Sequence, residues 1–406
     1  MLKVAVGIAL LLIIALIGYR RTFTRLQLPI GARLIFLTGT EFILVGVALG
    51  DQLIGLLDEQ TIRSLTPLFS LGLGVIGLIF GIQLELDKIL RFPARYLLMA
   101  FIQAAFTVLV VFWPFYFILG GLFGDDRQAT LLASLVLAAT AACTAQTALA
   151  LIAREFALRG ARVMELLRYI SSVDAVVGLL VLHFALCLMQ TQPVLGFDAG
   201  FGFQWFALSL VIGGASGLLL HLLTRARCSD EELLIFVLGM AVFSGGISLS
   251  LKLSPLFVNA IMGMVVANLP GSKNRIFNLL ARLEKPFYIV FLVLAGAIWR
   301  PGSPWALPLA VLYLGFRLIG KVSGGYLAAR TAPDDSRPPP TVGLGLISQG
   351  GIAIAMVMNY YQLSSAEVTD VVVTTVLVAV ILNELASPSL ARVVLRKAGE
   401  IERWPA

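Results

Sequence analysis

Asp174 is the one carboxylate of an apolar run that opens at Tyr169-Ile170-Ser171-Ser172-Val173 and continues to Met189. Where water is scarce, a charged Asp costs about 2.5–3.5 kcal/mol on insertion scales, so it faces a cavity or a partner. Lys321 is a matching cation, in a second apolar run (305–330) that also carries Arg317. A buried carboxylate can hold a monovalent cation with help from Thr hydroxyls and backbone carbonyls, or it can hold a proton. One excludes the other. Burial disfavours the ionised acid and a nearby ammonium favours it, so the two effects oppose each other. If the protein crosses between two states only when the site is neutralised, competition at Asp174 alone couples the two fluxes.

Two further stretches belong with this pair. Thr140-Ala141-Ala142-Cys143-Thr144-Ala145-Gln146-Thr147 is polar for the middle of an apolar run. Gly343-Leu344-Gly345-Leu346-Ile347-Ser348-Gln349-Gly350-Gly351 is rich in residues that tolerate a broken helix. Interrupted helices of opposite direction in the two halves of a transporter mark a midplane ion site in an inverted repeat. Small residues also enrich tight helix interfaces, and that reading competes for the glycines and alanines taken by themselves. At 1.5 Å rise per residue, Asp174 falls about 6 Å to one side of its span's midpoint, and Lys321 about 4–5 Å to the same side. Thr144 and Gln349 each fall about 4 Å to that side. Four polar groups on four helices are thus expected near one plane, with Ser171 one turn before the acid.

The elements that hold them follow from composition. The chain of 406 residues is 59% hydrophobic and 13% charged, with mean hydropathy +0.95; soluble domains carry about 25% charged residues. Thirteen spans, the ninth and tenth short, are expected at 3–19, 29–50, 65–86, 95–120, 130–153, 166–190, 203–224, 231–251, 254–269, 284–300, 305–330, 342–361 and 368–391. The fold class is an all-α polytopic membrane protein. The first run is followed by Tyr19-Arg20-Arg21 and by no small-x-small cleavage site, so it reads as a span with its N-terminus outside. Alternation then puts 23 of the 30 Lys and Arg on the cytoplasmic side and 5 outside, with Arg317 and Lys321 inside a span. The net charge of +7 is explained by those loops, and no nucleic-acid partner is expected. Three scattered cysteines supply neither a metal site nor a disulfide framework, and no cofactor is expected. Thr331 to Thr341, with Pro338-Pro339-Pro340, reads as a stiff cytoplasmic linker, and 396–406 as a short tail.

Phe80-Gly81-Ile82-Gln83-Leu84-Glu85-Leu86-Asp87-Lys88 resembles a helix end found in monovalent cation:proton antiporters. The run from Leu253-Ser254-Pro255 to Ala267-Asn268 resembles one of their spans. Glu284-Lys285-Pro286-Phe287, Gly320-Lys321 with Ala328-Ala329-Arg330, and Ser348-Gln349-Gly350-Gly351 resemble later landmarks, nearest to the Kef-type bacterial branch. The resemblance covers roughly residues 26–395. It implies a thirteen-helix homodimer in the bacterial inner membrane, a panel of dimerisation helices and a six-helix core in which two broken helices cross. Core helices are then expected roughly at 95–190 and 305–361 of a single domain spanning 1–395. It also implies that Asp174 binds cation and proton in alternation and that Lys321 pairs with it when no ion is bound, with Thr144 in the crossover.

The chain departs from that pattern at Val173, where the family usually has Asp, Asn or Gln. One titrating or ligating group is lost, which favours one cation against one proton. Glu41 and Glu384 lie in spans outside the family pattern; each is expected either to pair with Arg317 or to act as a second proton or ion ligand. His183 and His221 are expected to be hydrogen-bonded helix residues. An intramembrane aspartyl protease is excluded by the want of a second deep Asp. A channel or small-anion carrier on the same scaffold stays open, because Arg317 and Lys321 are cationic. A non-transporting membrane subunit also stays open, although the loops hold no soluble module.

Overall fold

The computed structural model describes residues 2–20, 39–51, 53–124, 126–156, 158, 160, 162–190, 202–225, 228–271, 273–299, 304–332, 337–364 and 366–401. The first part of the second expected span (29–38), the basic residues Arg21, Arg25 and Arg33, linker residues 333–336 and tail residues 402–406 lie outside the described residues.

All regular structure described is helical. In chain order the helices are α1 (Leu2–Arg20), α2 (Phe42–Leu49), α3 (Glu59–Ser64), α4 (Thr66–Gln83), α5 (Leu86–Leu90), α6 (Ala94–Leu122), α7 (Arg127–Ala142) and α8 (Gln146–Glu155). They continue as α9 (Arg162–Leu188), α10 (Gly202–Thr224), α11 (Asp230–Ser250), α12 (Pro255–Asn268), α13 (Lys273–Ile298) and α14 (Ala306–Arg330). A 3₁₀ turn (Val342–Leu346), α15 (Gly351–Leu363) and α16 (Val368–Lys397) complete the chain. Eight of these, counting α7 and α8 as one, are long and apolar enough to cross a bilayer. The protein is a multi-pass, all-helical membrane protein, and the described helices follow the thirteen expected crossings in order.

Local chemistry sets the starts. Asp126 accepts the backbone N–H groups of Gln128 and Ala129 at the head of α7, and Ser229 and Glu232 close a reciprocal capping box on α11. Ser254 caps α12 with Pro255 in its first turn. Helix α13 starts at Lys273, eleven residues before its expected span, because its first three turns are amphipathic and escape a search for apolar runs.

Packing sorts the helices into two bundles. In one, α4 lies along α12, α2 along α13, and α10 and α11 flank α12. In the other, α6 packs on α7, α9 and α14, while α16 packs on α14, α15 and the 3₁₀ turn. Helix α16, expected among the dimerisation helices, buries one face against α14 and the second broken segment.

The first residues of the expected short tail, up to Ile401, are described and folded back. Gly399, at φ +73°, takes the left-handed turn after α16, and the N–H of Glu400 returns to the Leu395 carbonyl at 3.0 Å. That turn places the Glu400 carboxylate under the first turn of α9, where Oε1 and Oε2 accept the N–H groups of Val163 (2.5 Å) and Met164 (3.2 Å). A carboxylate at a helix N-terminus satisfies orphan donors and complements the dipole. The helix that carries Asp174 is therefore anchored by the last helix of the chain.

Candidate functional site

Helix α7 stops at Ala142. Cys143 to Ala145 are extended, and α8 resumes at Gln146. The second broken segment mirrors it: after the 3₁₀ turn, residues 347–350 run without helix and α15 begins at Gly351. The two extended pieces lie side by side, with the Ala145 N–H donating to the Ser348 carbonyl at 3.1 Å and the Ser348 hydroxyl to the Ala145 carbonyl at 3.5 Å. Gly350 makes this closeness feasible, since a Cβ there would stand 2.8 Å from the Ala145 Cβ; Gly343 lets the second segment lie on α14, where a Cβ would stand 2.0 Å from the Lys321 carbonyl oxygen.

Asp174, Thr144 and Lys321 meet beside the crossing, all essentially without solvent exposure. Lys321 Nζ lies 2.8 Å from Asp174 Oδ2, 2.9 Å from Thr144 Oγ1 and 2.5 Å from the Ala142 carbonyl. The Thr144 hydroxyl donates to Asp174 Oδ2 at 2.6 Å, and its backbone N–H donates to Oδ1 at 3.2 Å. The ammonium thus sits in a shell of three oxygens: one carboxylate, one hydroxyl and one carbonyl. Those are the hard donors an alkali cation takes.

Arg317, one turn from Lys321 on α14, is the second buried cation. Its guanidinium donates to the carbonyls of Ala141 (3.1 Å), Cys143 (2.9 Å), Ile347 (2.6 Å) and Ser348 (3.4 Å). These are the C-terminal carbonyls of α7 and the carbonyls that follow the 3₁₀ turn, left unpaired where each helix breaks. The expected pairing of Arg317 with Glu41 or Glu384 is thereby corrected. The cation answers the negative ends of both interrupted segments rather than a side-chain acid.

Other expected residues divide. Gln349 faces away from the acid: Nε2 donates to the Thr140 carbonyl and the Tyr313 hydroxyl, each at 2.9 Å, and Oε1 accepts from Asn383 at 3.0 Å. Thr140 meets the Tyr313 hydroxyl at 3.1 Å. Thr140, Ser348, Gln349 and Gly350 therefore build the crossing without touching Asp174. Ser171 is buried, but its hydroxyl turns back to the Arg168 carbonyl at 2.8 Å, so it is no ligand in this arrangement. His183 stacks on Phe257 with ring centroids 3.9 Å apart and Nε2 3.4 Å from the Cys187 sulfur, a packing role.

Tyr313 and Asn383 were not singled out from sequence. Tyr313 has a signal there: with Arg317 and Lys321 it repeats every four residues and so shares one face of α14. The carbonyls of Ala142 and Leu346, the latter 3.1 Å from Thr144 Oγ1, have none.

A cavity of about 370 Å³ opens between the bundles and reaches Thr144 and Thr147, with Glu284, Lys285, Tyr288 and Glu384 also on its walls. Thr144 is the contact between this cavity and the sealed pair behind it.

Residues 10–395 match the family described as "Sodium/hydrogen exchanger, transmembrane". Comparison with curated proteins found no match. Among solved structures, the chain is similar to the sodium proton antiporter MjNhaP1 from Methanocaldococcus jannaschii at pH 8. The identity is 14% and the TM-score 0.67, over 97% of this chain and 99% of that one. At that identity the likeness is one of fold.

Proposed function

The chain belongs to the sodium/hydrogen exchanger family, and we propose that it exchanges one monovalent cation, Na⁺ or K⁺, for one proton at Asp174 by alternating access. The observation that carries this reading is the oxygen shell around the Lys321 ammonium. The lysine occupies the position a dehydrated cation would take, so the geometry corresponds to the cation-free form. An arriving cation takes over Asp174 Oδ2 and Thr144 Oγ1 and displaces the ammonium; a proton on Asp174 expels the cation in turn. Lys321 keeps its proton throughout. With Val173 beside it, Asp174 is the one exchanging acid, and the cycle is electroneutral.

An anion carrier on this scaffold would need a cationic group offered to its substrate. The Arg317 guanidinium is spent on four main-chain carbonyls, which favours the cation reading. The asymmetry of Lys and Arg supports an outside N-terminus and a cytoplasmic C-terminus. The motifs at 80–88 and 348–351 support a place near the Kef-type bacterial branch, in the inner membrane and as a homodimer. The two bundles would serve as a core, with α16 included, and a dimerisation panel.

The test is proteoliposome exchange, read as dequenching of a pH-sensitive dye on addition of Na⁺, K⁺ or Li⁺. The wild type is expected to respond to at least one of them, and Asp174→Asn to none. Normal exchange by Asp174→Asn overturns the mechanism. An imposed membrane potential is expected to leave the rate unchanged; acceleration by an inside-negative potential overturns the one-for-one stoichiometry.

A further inference from the structure

The exchange mechanism leaves one amide on the cavity wall unused. Gln146, the first residue of α8, lines the cavity together with Thr144, Ala145 and Thr147. It is half-buried, and Nε2 donates to the Ser172 hydroxyl at 3.1 Å. That hydroxyl has a single proton and gives it to the Arg168 carbonyl, one turn back on α9, at 3.0 Å. Ser172 can therefore only accept from Gln146, which fixes the end of the amide that faces it. Oε1 is left over. Among the described residues it accepts no hydrogen bond, and it is open to the space that Gln146 lines. That space, about 370 Å³, is more than ten times the share of one water, about 30 Å³, and admits a partly hydrated ion.

Two features of the place call for an oxygen there. Thr144 and Gln146 dock on α9 in step, Thr144 on Asp174 and Gln146 on Ser172 two residues earlier. The amide thus comes two residues after the hydroxyl through which the cavity meets the acid. The other feature is the helix end. Free N–H groups in the first turn of α8 carry partial positive charge and disfavour an approaching cation. A fixed neutral oxygen at that turn offsets them. An amide oxygen is also a hard donor, able to replace a water of the ion without adding a titrating group.

We propose that Gln146 Oε1, held by Ser172, is a cation ligand: it takes over from a water of the incoming ion and passes the ion to Thr144 and Asp174. The proposal rests on the exchange reading at Asp174 and adds a ligand to it. Asp174 decides whether exchange occurs; Gln146 sets the cation concentration at which it occurs. A purely structural Gln146, hooking α8 to α9, has a different signature. The hook is the N–H donor, whereas the ligand is the oxygen.

The experiment is the cation-concentration dependence of exchange by the full chain in proteoliposomes at alkaline pH, with Na⁺ and then K⁺ as probes. Gln146→Met keeps length and helix-forming character and removes both ends of the amide. Its KM for the transported cation is expected to rise about fivefold, held to that by water standing in for the oxygen, with kcat within about twofold of wild type. Gln146→Glu restores an oxygen but, once ionised, has no proton for Ser172. Its KM is expected at or below the wild-type value. A structural hook fails alike in both variants, so a KM raised equally in Gln146→Glu overturns the proposal. An unchanged KM in Gln146→Met overturns it too, as does a fall in kcat at constant KM. If Gln146→Met does not survive purification, Ser172→Ala reports instead. It leaves the oxygen but frees the amide to turn, and a KM equal to wild type overturns the proposal. Wild-type protein that exchanges no cation sinks the reading at Asp174 and this ligand with it. Exchange by wild type and none by Asp174→Asn, beside a Gln146→Met of unaltered KM, sinks only the ligand.

Discussion

Replacing Lys321 by Met deletes an ammonium that gives one hydrogen bond each to Asp174, Thr144 and the Ala142 carbonyl. Asp174 keeps the two donors of Thr144, at 2.6 and 3.2 Å, but has no countercharge. Breaking a buried pair from one side typically costs about 3–5 kcal/mol, most of it the stranded charge. The cation-free variant is therefore expected to be less stable than wild type by about that amount at alkaline pH, where protons are too dilute to stand in. A cation that replaces the lost ammonium returns part of the loss. At a hundred times its Kd, linkage gives about 2.7 kcal/mol, so the gap to wild type should shrink by half or more. Wild type gains less, because the cation must first displace the lysine. The assay is thermal unfolding of detergent-purified protein at high pH, in choline chloride and then in NaCl or KCl. The double variant Asp174→Asn/Lys321→Met carries no stranded charge and is expected to be more stable in choline than Lys321→Met alone. Equal stability of Lys321→Met and wild type in choline, or a gap that no alkali cation narrows, refutes the claim that the lysine stands in for the ion.

Three other outcomes follow from the geometry. Gly343→Ala puts a methyl 2.0 Å from the Lys321 carbonyl, so it is expected to push the broken segment off α14 and lose exchange at normal expression; full activity would refute the close approach. Glu400→Ala removes the cap of α9 and is expected to lower stability by about 1 kcal/mol, with faster amide exchange at Val163 and Met164. At the C-terminal end of α4, Lys273 first and then Lys88 hold the Glu85 carboxyl down to about 2. A depressed acid contributes its stability above its ordinary range near 4.5 and loses it as pH falls towards 2. Amide exchange at residues 84–90 and 273–276 should therefore speed up across that window in wild type and not in Glu85→Gln.

Much of this arrangement is written in the chain because helix rise is fixed. Counting 1.5 Å steps from the run boundaries puts Asp174, Lys321 and Thr144 near one plane, and in the structure they touch. Residue type also marks where the two helices break, since Gly350-Gly351 and the Thr140–Thr147 stretch are poor material for a continuous apolar helix. The partner of a long side chain was not legible. Arg317 goes to four main-chain carbonyls, and a carbonyl has no residue signature. Ser171 shows a smaller limit of the same kind: its position on α9 was readable, but its hydroxyl bonds the preceding turn. Polar helix is invisible to hydropathy, which hid the first turns of α13 and the folded end of the chain around Gly399. The neighbours of α16 were not legible either, because a hydrophobic run does not say which helix it leans on.

Arg317 also limits how this molecule can move. One guanidinium grips both interrupted segments, and loosening either would strand a charge among bare oxygens far from water. Flexing within the crossing is thus costly, whereas sliding α6, α7, α9, α14, α16 and both broken segments together past α4 and α13 leaves every one of those bonds intact. Transport would then resemble a rigid carriage on a fixed rail, and its speed would depend on the apolar seam between the bundles more than on the acid at its centre.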